Sequence, residues 1–511
     1  MVNNGCPIIM ANGKPCGSLN TFSPSGQCIF HINKKGESNE LQHHFKEMLF
    51  AKIQKENSDD TVKEIDFTEY RFPAYEFSNI TFNKSVNFHK AIFQGYVSFK
   101  KCHFLGETNT FRGVRFEGNE TIFDNVTFMG NDTGWGGVFF GSKEKTRFQD
   151  VHFESKQIAF DKSIFESKST KFLLCEFKNK WLAFDGALFK GEYLIFKDVK
   201  LNCETLTFPS DFQSNYTHFN NCLLEGKLAS FSQATFSKET VFVSTQFNSN
   251  ETTFDNCRIK GEIEFQGNDG NLVFNSKATL RYLKIETIGS IIFRHVSFDQ
   301  VELRGTDLRK IQFMDVYWYV KKNFVFGFPP WSKRKALYDE TVLVAENKIN
   351  REQAEIIKHA YRQLKQSHED NRDYTRSNDF YFGEMEMRRL RKPNAIQRNI
   401  FSWIALYRWI SGYGQIWQNS LFFIAVCLLV LPLLFPVTGL LYIYPLGTPQ
   451  EYNADYWHAL QYNFLTVTFQ KDINDLYHPS AFTRNLAIIE SLLMPVLVTL
   501  FILALRRRFK R

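Results

Sequence analysis

FTEYRFPAYEFSNITF (residues 67–82) places Phe67, Phe72, Phe77 and Phe82 five residues apart. A helix facing a core needs apolar residues at steps of three and four, and a strand needs every second residue. A step of five fits neither. It suits a chain that turns a corner after each short straight segment and points one ring inward from each side. The pattern continues through Phe88/Phe93, Phe99/Phe104, Phe111/Phe116 and Phe123/Phe128, and breaks at a glycine-rich stretch, 129–147. It resumes at Phe148/Phe153 and runs in pairs to Phe254/Ile259. A last run, Phe293, Phe298, Leu303, Leu308 and Phe313, closes on Trp318. With 54 phenylalanines in 511 residues, one kind of slot is being filled again and again, so internal repetition decides the fold.

Two residues before most rings stands a smaller residue, such as Val86, Ala91, Val97, Cys102, Val114, Val126, Val151, Cys175, Ala187, Cys222 or Cys257. Inward positions two apart follow the strand rule, applied to very short strands. The cysteines in this column are core fillers rather than redox or metal residues. This small-x-Phe/Leu pattern over residues 65–318 resembles the pentapeptide-repeat proteins. The resemblance implies a right-handed quadrilateral β-helix. About 23 residues per coil gives roughly eleven coils. The extra residues after every second side are expected to bulge at corners. The fold class expected is multidomain: this pentapeptide-repeat solenoid, then an α-helical linker, then two transmembrane helices with a re-entrant pore-like segment.

The formal charge of +8 is uneven: residues 1–64 balance, 65–318 carry −1 and 319–511 carry +9. Mimicry of DNA needs a strongly acidic rod, which a charge of −1 argues against, and no nucleic-acid partner is expected. The solenoid reads as a scaffold or sensing platform for an unknown protein or ligand. Nine cysteines, an odd number and widely spaced, argue against a disulfide framework. The polar start MVNNGCPIIM does not read as a signal peptide, so the solenoid is expected in the cytoplasm and Asn-x-Ser/Thr matches such as Asn79 are expected to be corners. With no nucleotide loop, nucleophile elbow or open metal triad, no enzyme is expected.

Residues 1–35 contain Cys6, Cys16, Cys28 and His31. Three sulfurs and an imidazole are a closed tetrahedral set for structural zinc. The spacing resembles small treble-clef-like zinc knuckles. The alternative is free thiols in an ordered loop. Within 36–64, Leu41, Phe45, Met48, Leu49 and Ile53 fall on one helix face, which is expected to cap the first coil.

Residues 319–398 read as a helical-hairpin linker with helices near 351–368 and 372–391. It is similar to a single tetratricopeptide-like hairpin. Its Tyr361–Lys365 and Asp379–Arg389 motifs also resemble the connecting segment of bacterial pentapeptide-repeat proteins that carry an ion-channel-like C-terminus. Glu384 and Glu386 are expected to be ion-pair partners on a solvated face.

Residues 399–419 are amphipathic and aromatic and are expected to form one interfacial helix along the inner membrane face. Residues 420–511 form the membrane domain, with apolar spans at 420–444 and 486–505. Basic residues flank both spans on one side, so the positive-inside rule expects a multi-pass inner (plasma) membrane protein with both termini cytoplasmic. Between the spans, 455–472 is too short and polar for a third crossing and looks like a re-entrant pore helix. The layout resembles two-span potassium-channel-like pores, which implies a homo-oligomer, by analogy a tetramer. The filter-like residues are Thr466, Thr468, Phe469, Gln470 and Asp472. Thr468 and Gln470 stand where a potassium filter has glycines, so potassium selectivity is not expected. Glu490 is an intramembrane acid, read as a functional group tied to Thr, Tyr462 or His458, or as a near-interface side chain that reaches water. The leading reading is a channel-like membrane protein with a cytoplasmic pentapeptide-repeat sensor, gating ion permeation in stress or defence. The alternative is a non-conducting membrane-anchored scaffold.

Overall fold

The computed structural model describes residues 6–10, 13, 15–16, 27–34, 38–268, 273–326, 330–345, 350–443, 451–470 and 476–509. The chain forms two units, Met1–Trp318 and Tyr319–Arg511.

In the first unit, short strands stack in parallel on the coil before them. The register aligns ring on ring: Phe77 with Phe99, Phe123 with Phe148, Phe148 with Phe172. Four ring columns result, starting at Phe67, Phe72, Phe77 and Phe82, so the coil has four sides. In the third column, Phe77 and Phe99 stack with centroids 4.5 Å apart and Phe148 and Phe172 with centroids 4.7 Å apart. That is the spacing of hydrogen-bonded strands, so ring stacking and backbone pairing set the same rise. Each buried ring contributes roughly 2–3 kcal/mol of burial, and each stack adds about 0.5–1.5 kcal/mol. The smaller residues two before the rings are buried too. Cys102 and Cys257 donate Sγ–H to the carbonyls of Phe77 (3.2 Å) and Phe231 (3.0 Å). Burial pushes the Cys102 thiol up to about 11 and the Cys175 thiol to about 12, as inert core groups require.

The columns do not break at 129–147. Trp135 stacks between Phe111 (4.1 Å) and Phe160 (5.5 Å), and Phe140 between Phe116 (5.1 Å) and Phe165 (4.6 Å). A tryptophan in the ring slot and an eight-residue step to Phe148 hide this coil in the sequence. Phe208, Phe212, Phe265 and Phe274 likewise extend the columns.

Corners alternate. After the Phe67 and Phe77 columns, the second residue past the ring is left-handed: Glu69 (φ 56), Asn79 (φ 55), Lys90 (φ 56), Lys101 (φ 53). These tight corners keep the five-residue step. At Phe208 the tight corner is one residue shorter, and Ser210 N–H bonds back to the Phe208 carbonyl at 2.8 Å. At Phe265 the tight corner is four residues longer, and Phe274 still stacks on Phe247. The other two corners vary in length and take most of the extra residues.

Helix α1 (Asn39–Ser58) starts at Ser38, whose Oγ accepts the Leu41 N–H (3.3 Å). It buries Phe45, Leu49 and Ile53, and Phe45 meets the first-coil ring of Phe72 edge-on at 5.8 Å. Leu41 and Met48 are half-buried at the margin of this face.

The second unit opens with an antiparallel pair between residues 319–324 and Trp331–Ala336. Helices α2 (Tyr338–Ala345), α3 (Arg351–Asp370) and α4 (Tyr374–Leu390) follow, then α5 (Ala395–Asn399) and α6 (Trp403–Ser411). Helices α3 and α4 pack as a hairpin, with Gly383 opposite Tyr361, where a β-carbon would come within 2.4 Å of the ring. Tyr361 O–H donates to Glu340 (2.6 Å), which also takes Arg334 (2.6 Å) and Lys321 (2.8 Å). Burial alone would raise the Glu340 carboxyl, but these cations more than offset it and hold it at about 2.

Glu384 and Glu386 are buried rather than on a solvated face. Glu384 accepts Arg362 (3.1 Å); Glu386 accepts Arg389 (2.8 Å), Arg408 (2.9 Å) and the Tyr413 hydroxyl (2.7 Å). Partners from later segments make the burial tolerable. Left-handed Gly412 (φ 52) ends α6 inside the stretch expected to run unbroken to residue 419.

Two apolar helices are long enough to cross a membrane: α7 (Trp417–Thr438) and α9 (Ala481–Phe509), the latter over Ala481–Arg507. Helix α7 contains a π segment at Val426–Val430 and a 3-10 segment at Leu431–Leu434. It ends at Thr438, short of residue 444, at left-handed Gly439 (φ 93). Leu440–Ile443 instead forms a strand between Glu451–Asn453 and Tyr477–Pro479. Helix α8 (Tyr456–Val467) lies between the two apolar helices in sequence.

Candidate metal centre and membrane-helix site

Two features bring the N-terminal ligands together. A turn at Gly13 (φ 75), with Cys16 N–H bonded to the Ile8 carbonyl, folds Cys16 back towards Cys6. A second turn lets the Cys28 carbonyl accept the His31 N–H at 3.0 Å. The four ligand atoms of Cys6, Cys16, Cys28 and His31 lie within 4.8 Å of one another. Cys16 Sγ is 3.8 Å from Cys28 Sγ, and His31 Nδ1 is 3.4 Å from Cys6 Sγ and 3.2 Å from Cys28 Sγ. A tetrahedral zinc with ordinary bond lengths has S···S edges of about 3.8 Å and S···N edges of about 3.5 Å, so the set fits such an ion.

The outer ring nitrogen supports this. His31 Nε2 lies 3.3 Å from the Thr68 carbonyl, which fixes the proton on Nε2 and turns the Nδ1 lone pair to the sulfurs. The neighbouring Cys16 thiol and burial push the Cys28 thiol far above its usual range. A cation among the sulfurs would remove that penalty. The cluster is seated on the first coil: Arg71 N–H bonds to the Phe30 carbonyl (2.8 Å), and Phe30 stacks on Tyr70 at 4.7 Å. Beside it, Lys34 Nζ donates to the carbonyls of Ile32 (3.2 Å) and Arg71 (2.7 Å), and burial pushes its ammonium down to about 7. His43 and His44 are exposed and take no part.

In the second unit, α8 is bonded to both apolar helices. Asn463 Nδ2 donates to the Cys427 carbonyl of α7 (3.0 Å) and to Glu490 Oε1 of α9 (3.1 Å). The free carbonyl on α7 has a cause in the sequence. In the π segment each N–H reaches five residues back, as Leu431 N–H does to Val426. The next donor in line would be residue 432, a proline without an N–H, so the Cys427 carbonyl is left for Asn463. Tyr456 O–H takes the Leu429 carbonyl in the same stretch (3.0 Å). Glu490 is 2% exposed, and its Oε1 accepts from Asn463 rather than from Tyr462 or His458. His458 bonds Asp455 (2.7 Å). Asn463 escaped the sequence reading; the available signal was an amide in an apolar helix beside a proline-interrupted one.

The filter-like residues form the end of α8. Thr466 and Thr468 bond back to the carbonyls of Tyr462 and Phe464, each at 2.8 Å. Phe469 is left-handed (φ 56), and Gln470 N–H reaches the Leu465 carbonyl at 3.1 Å, which closes the helix as a Schellman cap. Asp472 lies outside the described residues. The end of α7 is tied to the start of α9 by hydroxyls: Thr438 to Thr483 (2.9 Å), and Ser480 to the Thr438 carbonyl (2.6 Å).

A family model described as pentapeptide repeats (9 copies) matches residues 88–134. No curated protein and no solved structure matches the chain. The stacked four-sided coils and this match agree, and the chain therefore combines a pentapeptide-repeat β-solenoid with a C-terminal helical region whose two long apolar helices are consistent with membrane association.

Proposed function

We propose that this protein is a multi-pass inner-membrane protein in which α7 and α9 cross the bilayer, α8 dips between them as a re-entrant helix, and copies of the chain assemble around α8 into an ion-permeable oligomer. The single observation that carries this reading is the Asn463 amide, which bridges the Cys427 carbonyl and Glu490. A short polar-ended helix at membrane depth needs its groups satisfied by protein, and this bridge ties α8 to both apolar helices through the Asn463 amide, leaving Asn463 Oδ1 and Glu490 Oε2 without a partner among the described residues. The solenoid, of right-handed hand, is a non-catalytic cytoplasmic platform for a protein or ligand. The Cys6, Cys16, Cys28 and His31 set holds structural zinc at its N-terminal end, where it would fix the first coil.

The test is ion flux from liposomes holding the full chain, beside the native mass of the detergent-extracted particle. An oligomer with flux lost in Glu490→Ala supports permeation. A monomer, or no flux under any ionic condition, removes it. The non-conducting scaffold keeps one observation in its favour: the threonine hydroxyls of the filter-like stretch are spent inside α8. That reading predicts an oligomer without flux.

A further inference from the structure

Where the C-terminal end of α9 meets the α3–α4 hairpin, a cleft of about 420 Å³ is lined by Lys365, Glu369, Asp370, Tyr381, Gln415 and Arg507 among others. Its charges are sorted. Lys365 Nζ lies 5.3 Å from the Tyr381 ring centroid and the Arg507 guanidinium 5.4 Å from the same centroid, so one ring gathers both cations. Neither has a carboxylate within ion-pair distance among the described residues. Arg507 is held by neutral groups, the carbonyls of Tyr413 (3.3 Å) and Gly414 (3.5 Å) and the Tyr407 hydroxyl. Gln415 Nε2 is buried without an acceptor. Two cations and a free amide donor call for an anion with several oxygens.

The cleft also carries acids. Glu369 and Asp370 sit one helical turn beyond Lys365 on α3, about 6 Å further along. Among the described residues, Glu369 accepts only the Ser377 hydroxyl (3.2 Å). A ligand that fits the whole lining has a negative group at one end and a positive group one turn away. The level of the cleft matters as well: Arg507 stands two residues past Leu505, where the apolar run of α9 gives way to arginines. In a bilayer that residue stands among the phosphates of the headgroup layer.

We propose that this cleft binds the phosphoethanolamine headgroup of a membrane lipid. Its phosphate lies between Arg507, Lys365 and Gln415, and its ammonium lies against Glu369 and Asp370. The assignment rests on α9 crossing the bilayer and is independent of ion permeation. The bound lipid would clasp the end of α9 to the helical hairpin.

The full chain, reconstituted in nanodiscs of phosphatidylethanolamine, phosphatidylglycerol or phosphatidylcholine and released into detergent, is examined by native mass spectrometry. About one retained phosphatidylethanolamine per chain is expected, falling roughly tenfold in Lys365→Gln and in Arg507→Gln with the loss of a charge-assisted bond. Glu369→Gln is expected to narrow the preference over phosphatidylglycerol. Lys365→Gln removes no carbonyl contact and keeps the test sound if Arg507→Gln misfolds. Equal retention of all three lipids, or unchanged retention in Lys365→Gln, overturns the proposal. Displacement of the lipid by millimolar inorganic phosphate assigns the site to soluble phosphate and overturns it too. Carbonate extraction separates the two failures: a chain released from membranes refutes the spanning helices themselves, whereas a chain that stays in them without lipid refutes the cleft alone.

Discussion

Asn463 on α8 donates to Glu490 on α9 at 3.1 Å and, through the same amide, to the Cys427 carbonyl on α7 at 3.0 Å. One amide therefore serves a proline-orphaned carbonyl and one oxygen of a buried acid together, while Glu490 Oε2 and Asn463 Oδ1 have no partner among the described residues. Asn463→Leu keeps the volume and strands both. The expected cost is about 1–3 kcal/mol for each unsatisfied group, read as a lower melting temperature in detergent. Asn463→Gln is expected to recover part of the loss. An unchanged melt in Asn463→Leu would show that the bridge does not hold the helices.

The metal centre gives a stoichiometric prediction. Purified protein is expected to carry about one zinc per chain by elemental analysis, and Cys28→Ser is expected to lose it. Cys175→Ser, in the solenoid core, is expected to keep the metal. Chelation is expected to expose the segment before α1 to protease while the central coils stay resistant, because each coil is held by its neighbours.

The solenoid's stability should depend on position along the stack. Phe148 is fully buried with a ring above and below. Phe148→Ala is expected to cost about 3–5 kcal/mol. Phe313, half-buried in the last coil, is expected to cost less. Urea titration of the full chain, followed by thermolysin cleavage, checks the order.

Asp379 accepts the Lys335 N–H (2.9 Å), and burial pushes its carboxyl up to about 6. Its folded value lies above its unfolded one, so the folded state binds the extra proton between about pH 4 and 6. Its contribution favours folding at low pH and is lost as pH rises through that window. Glu340 works in the opposite sense: its stabilisation is present above about pH 4.5 and is lost as pH falls towards 2. Asp379→Asn is expected to raise the neutral-pH melting temperature and to flatten the pH 4–6 slope. A slope that survives the substitution would assign it to another group.

Regular spacing made the solenoid legible, since one ring per side needs only local sequence to be seen. The coil through Trp135 and Phe140 was hidden because the ring type and the step changed together. The metal set was legible as residue types, but its seat on Thr68 and Tyr70 depends on how the cap meets the first coil. The Asn463 bridge was not legible, because it depends on which faces of three helices meet. Glu386 does pair with cations as expected, but its burial was not legible for the same reason: Arg408 and Tyr413, two of its partners, come from a later segment.

The two kinds of corner divide the solenoid's edges by tolerance. Where a left-handed residue stands at the corner the step is held at five, and among the described residues the chain leaves that step only at Phe208 and Phe265, where the left-handed residue is missing. Along the two variable edges the chain already accepts additions of different length without disturbing the stacks. Those edges are the ones on which loops, tags or new recognition surfaces can be grafted, and along which homologous rods are free to diverge while their cross-section stays constant.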